Sequence, residues 1–203
     1  MSKQGYHHGN LRQALIKAAL ELIPEQGPTG FTLSEAAKRA GVTPAAVYRH
    51  FEGREDLIAE CARQGYGIFA DLMEHAWAGG KPSALAAFGA TGRAYLAFAR
   101  KFPGHYMAMF EAGILPNRSP QIAEAAERAH RITTTAASAL MAHIPAERRP
   151  PVAMFAAHIR ALSHGVVELY ARTPSSSPFS PEELLESGIG VYLRGLGLID
   201  ADH

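Results

Sequence analysis

The chain has 203 residues, of which 47% are hydrophobic, with a formal net charge of +1 and a single cysteine. This composition is rich enough for a packed core and excludes a disordered chain, while the near-zero charge excludes binding to nucleic acid by bulk charge alone. A lone Cys61 excludes an internal disulfide, and no Cys/His spacing suits zinc.

Alanine is abundant and apolar residues recur at helical spacing, so the expected fold is all-α with about nine helices. Residues 1–8 contain no apolar run, so no signal peptide is expected. No uncharged apolar stretch approaches ~18 residues, so the expectation is a cytoplasmic protein without a membrane span.

The first helix is predicted over Asn10–Gln26, with Asn10 as N-cap and Leu11, Leu15, Ala18 and Leu22 on one buried face. Gly27-Pro28-Thr29-Gly30 ends it. Two short helices follow, over Ser34–Ala40 and Pro44–Phe51, separated by Gly41-Val42-Thr43. A fourth starts at Arg54, with Glu55 and Asp56 near the positive end of its dipole, and runs to Trp77. Gly79-Gly80-Lys81-Pro82-Ser83 breaks the chain. Further helices are predicted over Ser83–Lys101, Gly104–Ala112, Gln121–His143 and Pro151–Arg172. Thr173–Pro178 reads as a flexible loop by composition. The last helix starts after Ser180 as N-cap, with Pro181, Glu182 and Glu183 in its first turn, and ends near Gly197. The chain divides after Gly53 into an N-terminal three-helix domain, 1–53, and a C-terminal helical domain, 54–203.

Residues 32–51 have the pattern of a helix-turn-helix. Ala37 is small where the first helix approaches the second. Gly41 occupies a turn that needs positive φ. Val42 fills the wedge between the helices, Thr43 is placed to cap the second helix, and Pro44 suits its first position. Val47 and Phe51, four apart, face the core. The tip and outer face of the second helix are left for the major groove. Pro44, Ala45 and Ala46 are small enough to approach thymine methyls closely but make no bidentate base contact. Arg49 is the candidate guanine reader. Tyr48 and His50 suit phosphate oxygens, and Thr32, Ser34, Thr43 and Arg54 flank the motif as backbone contacts. Up to Gly53, Lys3, Arg12, Lys17, Lys38, Arg39 and Arg49 stand against Glu21, Glu25, Glu35 and Glu52, with His7, His8 and His50 able to add charge beside phosphates.

Residues 10–58 resemble the TetR/AcrR family of regulators. The resemblance rests on the N-terminal helix, on Thr32-x-x-x-x-Ala37-x-x-Ala40-Gly41-Val42-Thr43, and on Tyr48-x-His50-Phe51 followed by Arg54 and Leu57. It implies phosphate contacts from Tyr48, His50 and Arg54, and a C-terminal helical domain for ligand binding and dimerisation. It favours a repressor over an activator, although the residues themselves do not give the sign. Ser163-His164-Gly165 is similar to the Trp-His-Gly signature of one subgroup, with Ser in place of Trp.

Two helices, about 151–172 and 181–197, are expected to form a homodimer interface. The first has Phe155, Ile159, Leu162, Val166 and Leu169 on one face and Ala157, Ala161, His164 and Gly165 on another. The second has Leu185, Ile189, Tyr192 and Leu196 against a smaller stripe of Leu184, Gly188, Val191 and Gly195. A helix apolar on two sides is buried on two sides. The expected partners are therefore a second copy, palindromic double-stranded DNA and a small-molecule ligand. Candidate ligand-binding residues are Phe69, Tyr106, Met107, Met109, Phe110, His130 and His158, each of which ordinary core packing also explains. Cys61 lacks a basic neighbour on its own helix face, which favours an inert thiol. No cofactor or metal is expected. No phosphate loop or nucleophile elbow is present, so an enzyme is not expected.

Overall fold

The computed structural model describes residues 7–172 and 177–200. These residues form an all-α fold of nine helices: α1 His7–Gln26, α2 Leu33–Arg39, α3 Pro44–Val47, α4 Arg54–Trp77, α5 Ala84–Lys101, α6 Pro103–Phe110, α7 Pro120–Met141, α8 Val152–Val166 and α9 Pro181–Gly195. Part of the loop expected over Thr173–Pro178, and the expected charge of Lys3, His7 and His8, lie outside the described backbone or side chains.

The helices pack as two compact units. One comprises residues up to 68 together with 102–126; the other comprises 69–101 and the residues from 127 onward. These packing units do not coincide with a division after Gly53, because α6 and the start of α4 pack with the N-terminal helices.

In the first unit, α1 buries Leu15, Ile16, Ala19, Leu22 and Ile23. The helix begins at His7, so Asn10 stands within its first turn and not at the N-cap position. α6 opens on Phe102, with Pro103 in its first turn, where a missing N–H costs nothing. It packs against α1 and α4 through Gly104, Tyr106 and Met109. Tyr106 is fully buried beside Phe110, with ring centroids 4.9 Å apart.

In the second unit, α9 is capped as its sequence predicts. The Ser180 hydroxyl accepts from the Glu183 N–H at 3.2 Å, and the Glu183 carboxylate accepts from the Ser180 N–H at 2.7 Å. The inward face of α9 is Leu185, Ile189 and Leu193; Tyr192 and Leu196 are only half-buried, which corrects the expected face by a fraction of a turn. Gly188 faces α8 of the same chain, where a Cβ would stand 3.0 Å from Leu162 Cδ2, so only Val191 and Gly195 of the smaller stripe remain exposed.

α8 buries Phe155, Ile159 and Val166 as expected, but Leu169 is 65% exposed. A π-helical segment, Val167–Ala171, continues the helix. The buried stripe runs through Ala156, Ile159, Ser163 and Val167, so Leu162 is only half-buried and Leu169 lies outside it. Ser163 is buried, with its hydroxyl donating to the Ile159 carbonyl at 2.9 Å.

Candidate nucleic-acid interface

The segment from Phe31 to Arg54 is built by local rules. Thr32 caps α2 in a reciprocal box: its Oγ1 accepts from the Glu35 N–H at 3.2 Å, and Glu35 Oε2 accepts from the Thr32 N–H and hydroxyl at 2.7 and 2.8 Å. α2 ends on Gly41 at φ +71°, with the Val42 N–H donating to the Ala37 carbonyl at 2.9 Å and the Gly41 N–H to Lys38 at 3.2 Å. That pairing satisfies the last carbonyls of α2 and needs a left-handed residue, which glycine supplies at least cost.

α3 is shorter than the predicted Pro44–Phe51. Only Pro44–Val47 is regular helix, and residues 48–50 continue as turns. Thr43 occupies the N-cap position but makes no side-chain cap hydrogen bond, so the predicted capping role is not realised. Instead, backbone bonds hold the turn: the Ala46 N–H donates to the Thr43 carbonyl at 3.0 Å, and the His50 and Phe51 N–H groups both donate to the Val47 carbonyl, at 2.9 and 3.0 Å.

Val47 and Phe51 are buried, as are Phe31, Ala36 and Ala37, and α3 packs on α2. Thr43, Pro44, Ala45, Tyr48 and Arg49 are exposed, Tyr48 to 64%, while Ala46 and His50 are half-buried. Thr32 and Ser34 lie at the start of α2, and both are exposed. The segment expected from the sequence to meet DNA thus presents Thr43, Pro44, Ala45, Tyr48 and Arg49 outward, along with Thr32 and Ser34.

Arg54 is placed differently from the rest. Its guanidinium turns inward, and NH1 donates to the carbonyls of Thr29 at 2.7 Å and Phe31 at 3.2 Å. It ties the start of α4 to the α1–α2 loop.

Arg12, which the sequence offers only as one charge among several, lies over the Phe51 ring, 5.2 Å from its centroid. Its NH2 is 3.2 Å from Glu60 Oε2. Glu60 also accepts from Arg63 Nε and NH2 at 2.9 and 2.8 Å and from Gln64 Nε2 at 2.9 Å. Although burial works against its ionisation, these donors hold its carboxyl down at about 2. Next to it, Cys61 is fully buried, and burial together with the Glu60 charge pushes its thiol up to about 12.

The ligand candidates fall into separate groups. Tyr106, Met107, Met109 and Phe110 belong to the first unit; Phe69, His130 and His158 belong to the second. Phe69 packs edge-on to Tyr95 at 5.3 Å and against Phe98 at 5.1 Å. His130 and His158 are exposed, and His158 Nδ1 shares a 2.9 Å hydrogen bond with the Tyr192 hydroxyl. Among the described residues, no three His, Cys, Asp or Glu side chains converge as a metal site requires.

Comparison with known proteins places this geometry. Residues 15–61 match the family model described as bacterial regulatory proteins, tetR family, and residues 88–192 match one described as a tetracyclin repressor-like C-terminal domain. The chain is 40% identical over 60 residues to the HTH-type transcriptional regulator BetI of Rhizobium meliloti, covering 30% of each protein. A solved structure of a protein of unknown function from Rhodococcus sp. RHA1 superposes with a TM-score of 0.78 at 27% identity, covering 96% of this chain and 99% of that one. The TetR family regulator PfmR of Thermus thermophilus shares the fold at a TM-score of 0.72 and 16% identity, covering 90% and 98% of the two chains. The chain's match to BetI spans less than a third of that protein's length. No described helix is long and apolar enough to cross a membrane.

Proposed function

The chain belongs to the TetR family of bacterial regulatory proteins, and from that premise we propose that it is a homodimeric transcriptional regulator that binds a palindromic operator in the cytoplasm. The observation that carries this reading is the exposed tip of residues 43–49, anchored from below by buried Val47 and Phe51. A surface that exposes a tyrosine and an arginine beside small residues at a helix start suits phosphate and base-edge contact in a major groove.

Two such tips about 34 Å apart would enter successive grooves of one DNA face. Tyr48, His50, Thr32, Ser34 and Thr43 would contact the backbone, Arg49 would read guanine, and Pro44, Ala45 and Ala46 would pass close to thymine methyls. Arg54 serves from beneath, holding the α1–α2 loop under the motif.

The second copy would dock on the outer face of α8 and α9. Met154 is 52% exposed and Val191 is 63% exposed, and the small residues Ala157 and Ala161 of α8 and Gly195 of α9 are exposed as well, which suits close helix approach. Residues 1–53 would supply DNA contact, and 54–203 the sensor and the dimer. A small molecule with higher affinity for a conformation of the wrong tip spacing would release the operator, making the protein a ligand-responsive repressor. The chemistry assigned here is binding, not catalysis.

The test is selection of random duplex DNA by the purified protein across a salt series. Enrichment of a palindrome, with affinity falling steeply as salt rises, is the expected result. Flat retention without enrichment would sink the reading.

A further inference from the structure

We propose that Glu60 is a positioning residue for DNA binding: it holds Arg12 of α1 over the Phe51 ring and so fixes the turn that presents Tyr48, Arg49 and His50. This rests on the DNA-binding reading given above.

The need for such a clamp comes from the shortness of α3. One regular turn, Pro44–Val47, has little stability of its own. The direction of its exposed tip therefore depends on what holds its two apolar anchors. Val47 is fully buried, on the element that packs against α2. Phe51 is held from one side by the core and is covered on a ring face by the Arg12 guanidinium.

Arg12 by itself is a poor clamp, since its side chain keeps 39% exposure and an exposed cation over a ring gains little. Glu60 removes that freedom. Its Oε2 meets Arg12 NH2 at 3.2 Å. Glu60 is in turn immobilised by the two-pronged bond from Arg63 and by Gln64, one turn along the same helix. Both carboxylate oxygens are saturated with donors, as a carboxylate with a side chain only 10% exposed requires. A carboxylate here costs desolvation that an apolar residue would avoid, and what it gains is a fixed site for a cation from another helix. The ionised form persists throughout the neutral range, so the clamp is not a pH switch there.

The experiment compares the full chain with Glu60→Gln, Arg12→Ala and Arg12→Lys by two readouts. The first, without DNA, is amide hydrogen exchange at His50 and Phe51, whose N–H groups both bond the Val47 carbonyl. Glu60→Gln and Arg12→Ala should speed exchange there selectively, leaving the buried α1 amides of Leu15 and Ile23 unchanged, and Arg12→Lys should restore part of the protection. The second is affinity for the selected duplex. It should fall about threefold to fivefold in the first two variants, with the salt slope unchanged. Unchanged exchange at residues 50 and 51, or a uniform rise through α1, overturns the clamp. A salt slope reduced by about one for Arg12→Ala also overturns it, since Arg12 would then be a phosphate contact itself. A wild-type chain that retains no duplex defeats the DNA reading, while the exchange comparison still decides whether Glu60 fixes the turn.

Discussion

Gly104 lies so close to Leu20 that a Cβ built on it would stand 2.3 Å from the Leu20 carbonyl oxygen. The backbone of α6 is thus seated directly on the backbone of α1, and no side chain larger than hydrogen fits between them. Gly104→Ala should force the helices apart and destabilise the first unit by about 1–3 kcal/mol. Thermal unfolding should show a lower midpoint, and DNA affinity should fall in parallel. An unchanged midpoint would mean that α6 can shift without cost.

Tyr48 and Arg54 should separate cleanly as two kinds of residue. Tyr48→Phe leaves an exposed ring in place and removes one hydroxyl. It should weaken operator binding by about 1.5 kcal/mol, roughly tenfold, with the melting temperature unchanged. Arg54→Met removes the two bonds to Thr29 and Phe31 and should lower stability by about 1–3 kcal/mol. Paired melting and DNA-retention measurements check both; a stable Arg54→Met variant with a reduced salt slope would instead make Arg54 a phosphate contact.

Acid should act through Glu60. Its folded carboxyl is held at about 2, below the usual 4.5. A depressed carboxyl contributes stability that is complete above its unfolded value and is lost as pH falls toward the folded one. The wild-type chain should therefore lose stability between about pH 5 and 2, and Glu60→Gln should show a shallower loss over that window. Denaturant midpoints measured across the window decide the matter; parallel curves would remove Glu60 from the account.

Cys61 should be unreactive in the folded protein. Its thiol is buried and displaced to about 12, so almost no thiolate exists near neutrality. A chromogenic disulfide reagent at pH 8 should label one thiol per chain in denaturant and almost none without it. Rapid labelling of the native chain would reveal an opening of α4 that the packing does not suggest.

The outer face of α8 and α9 should carry the dimer. Val191→Glu places a charge on a side chain that is 63% exposed in the single chain. It should leave the monomer folded but dissociate the dimer, and operator affinity should fall because each tip then binds alone. Sedimentation velocity gives the oligomeric state; a dimer that survives would place the interface elsewhere.

The local pieces of this protein are legible in its sequence. The positive φ of Gly41 and the four-residue spacing of Val47 and Phe51 are each written within a few neighbouring residues; the capping box of Thr32 and Glu35 is equally local, although Thr32 reads from the sequence only as a flanking backbone contact. Such signals act through backbone bonds and helical period, which reach no further than a turn or two. Ser180 and Glu183 announce α9 in the same way.

Packing between distant segments sets how those pieces meet. The inward turn of Arg54 depends on carbonyls in the α1–α2 loop, and the role of Arg12 depends on Phe51 and Glu60, none of them its sequence neighbours. The seat of α6 on α1 was hidden because one glycine looks like another until a carbonyl is found where its Cβ would be. Leu169 lies outside a buried stripe through Ala156, Ser163 and Val167, where spacing from Leu162 and Val166 places it inside. In each case what decides is packing against a distant part of the chain, which leaves no mark on local spacing.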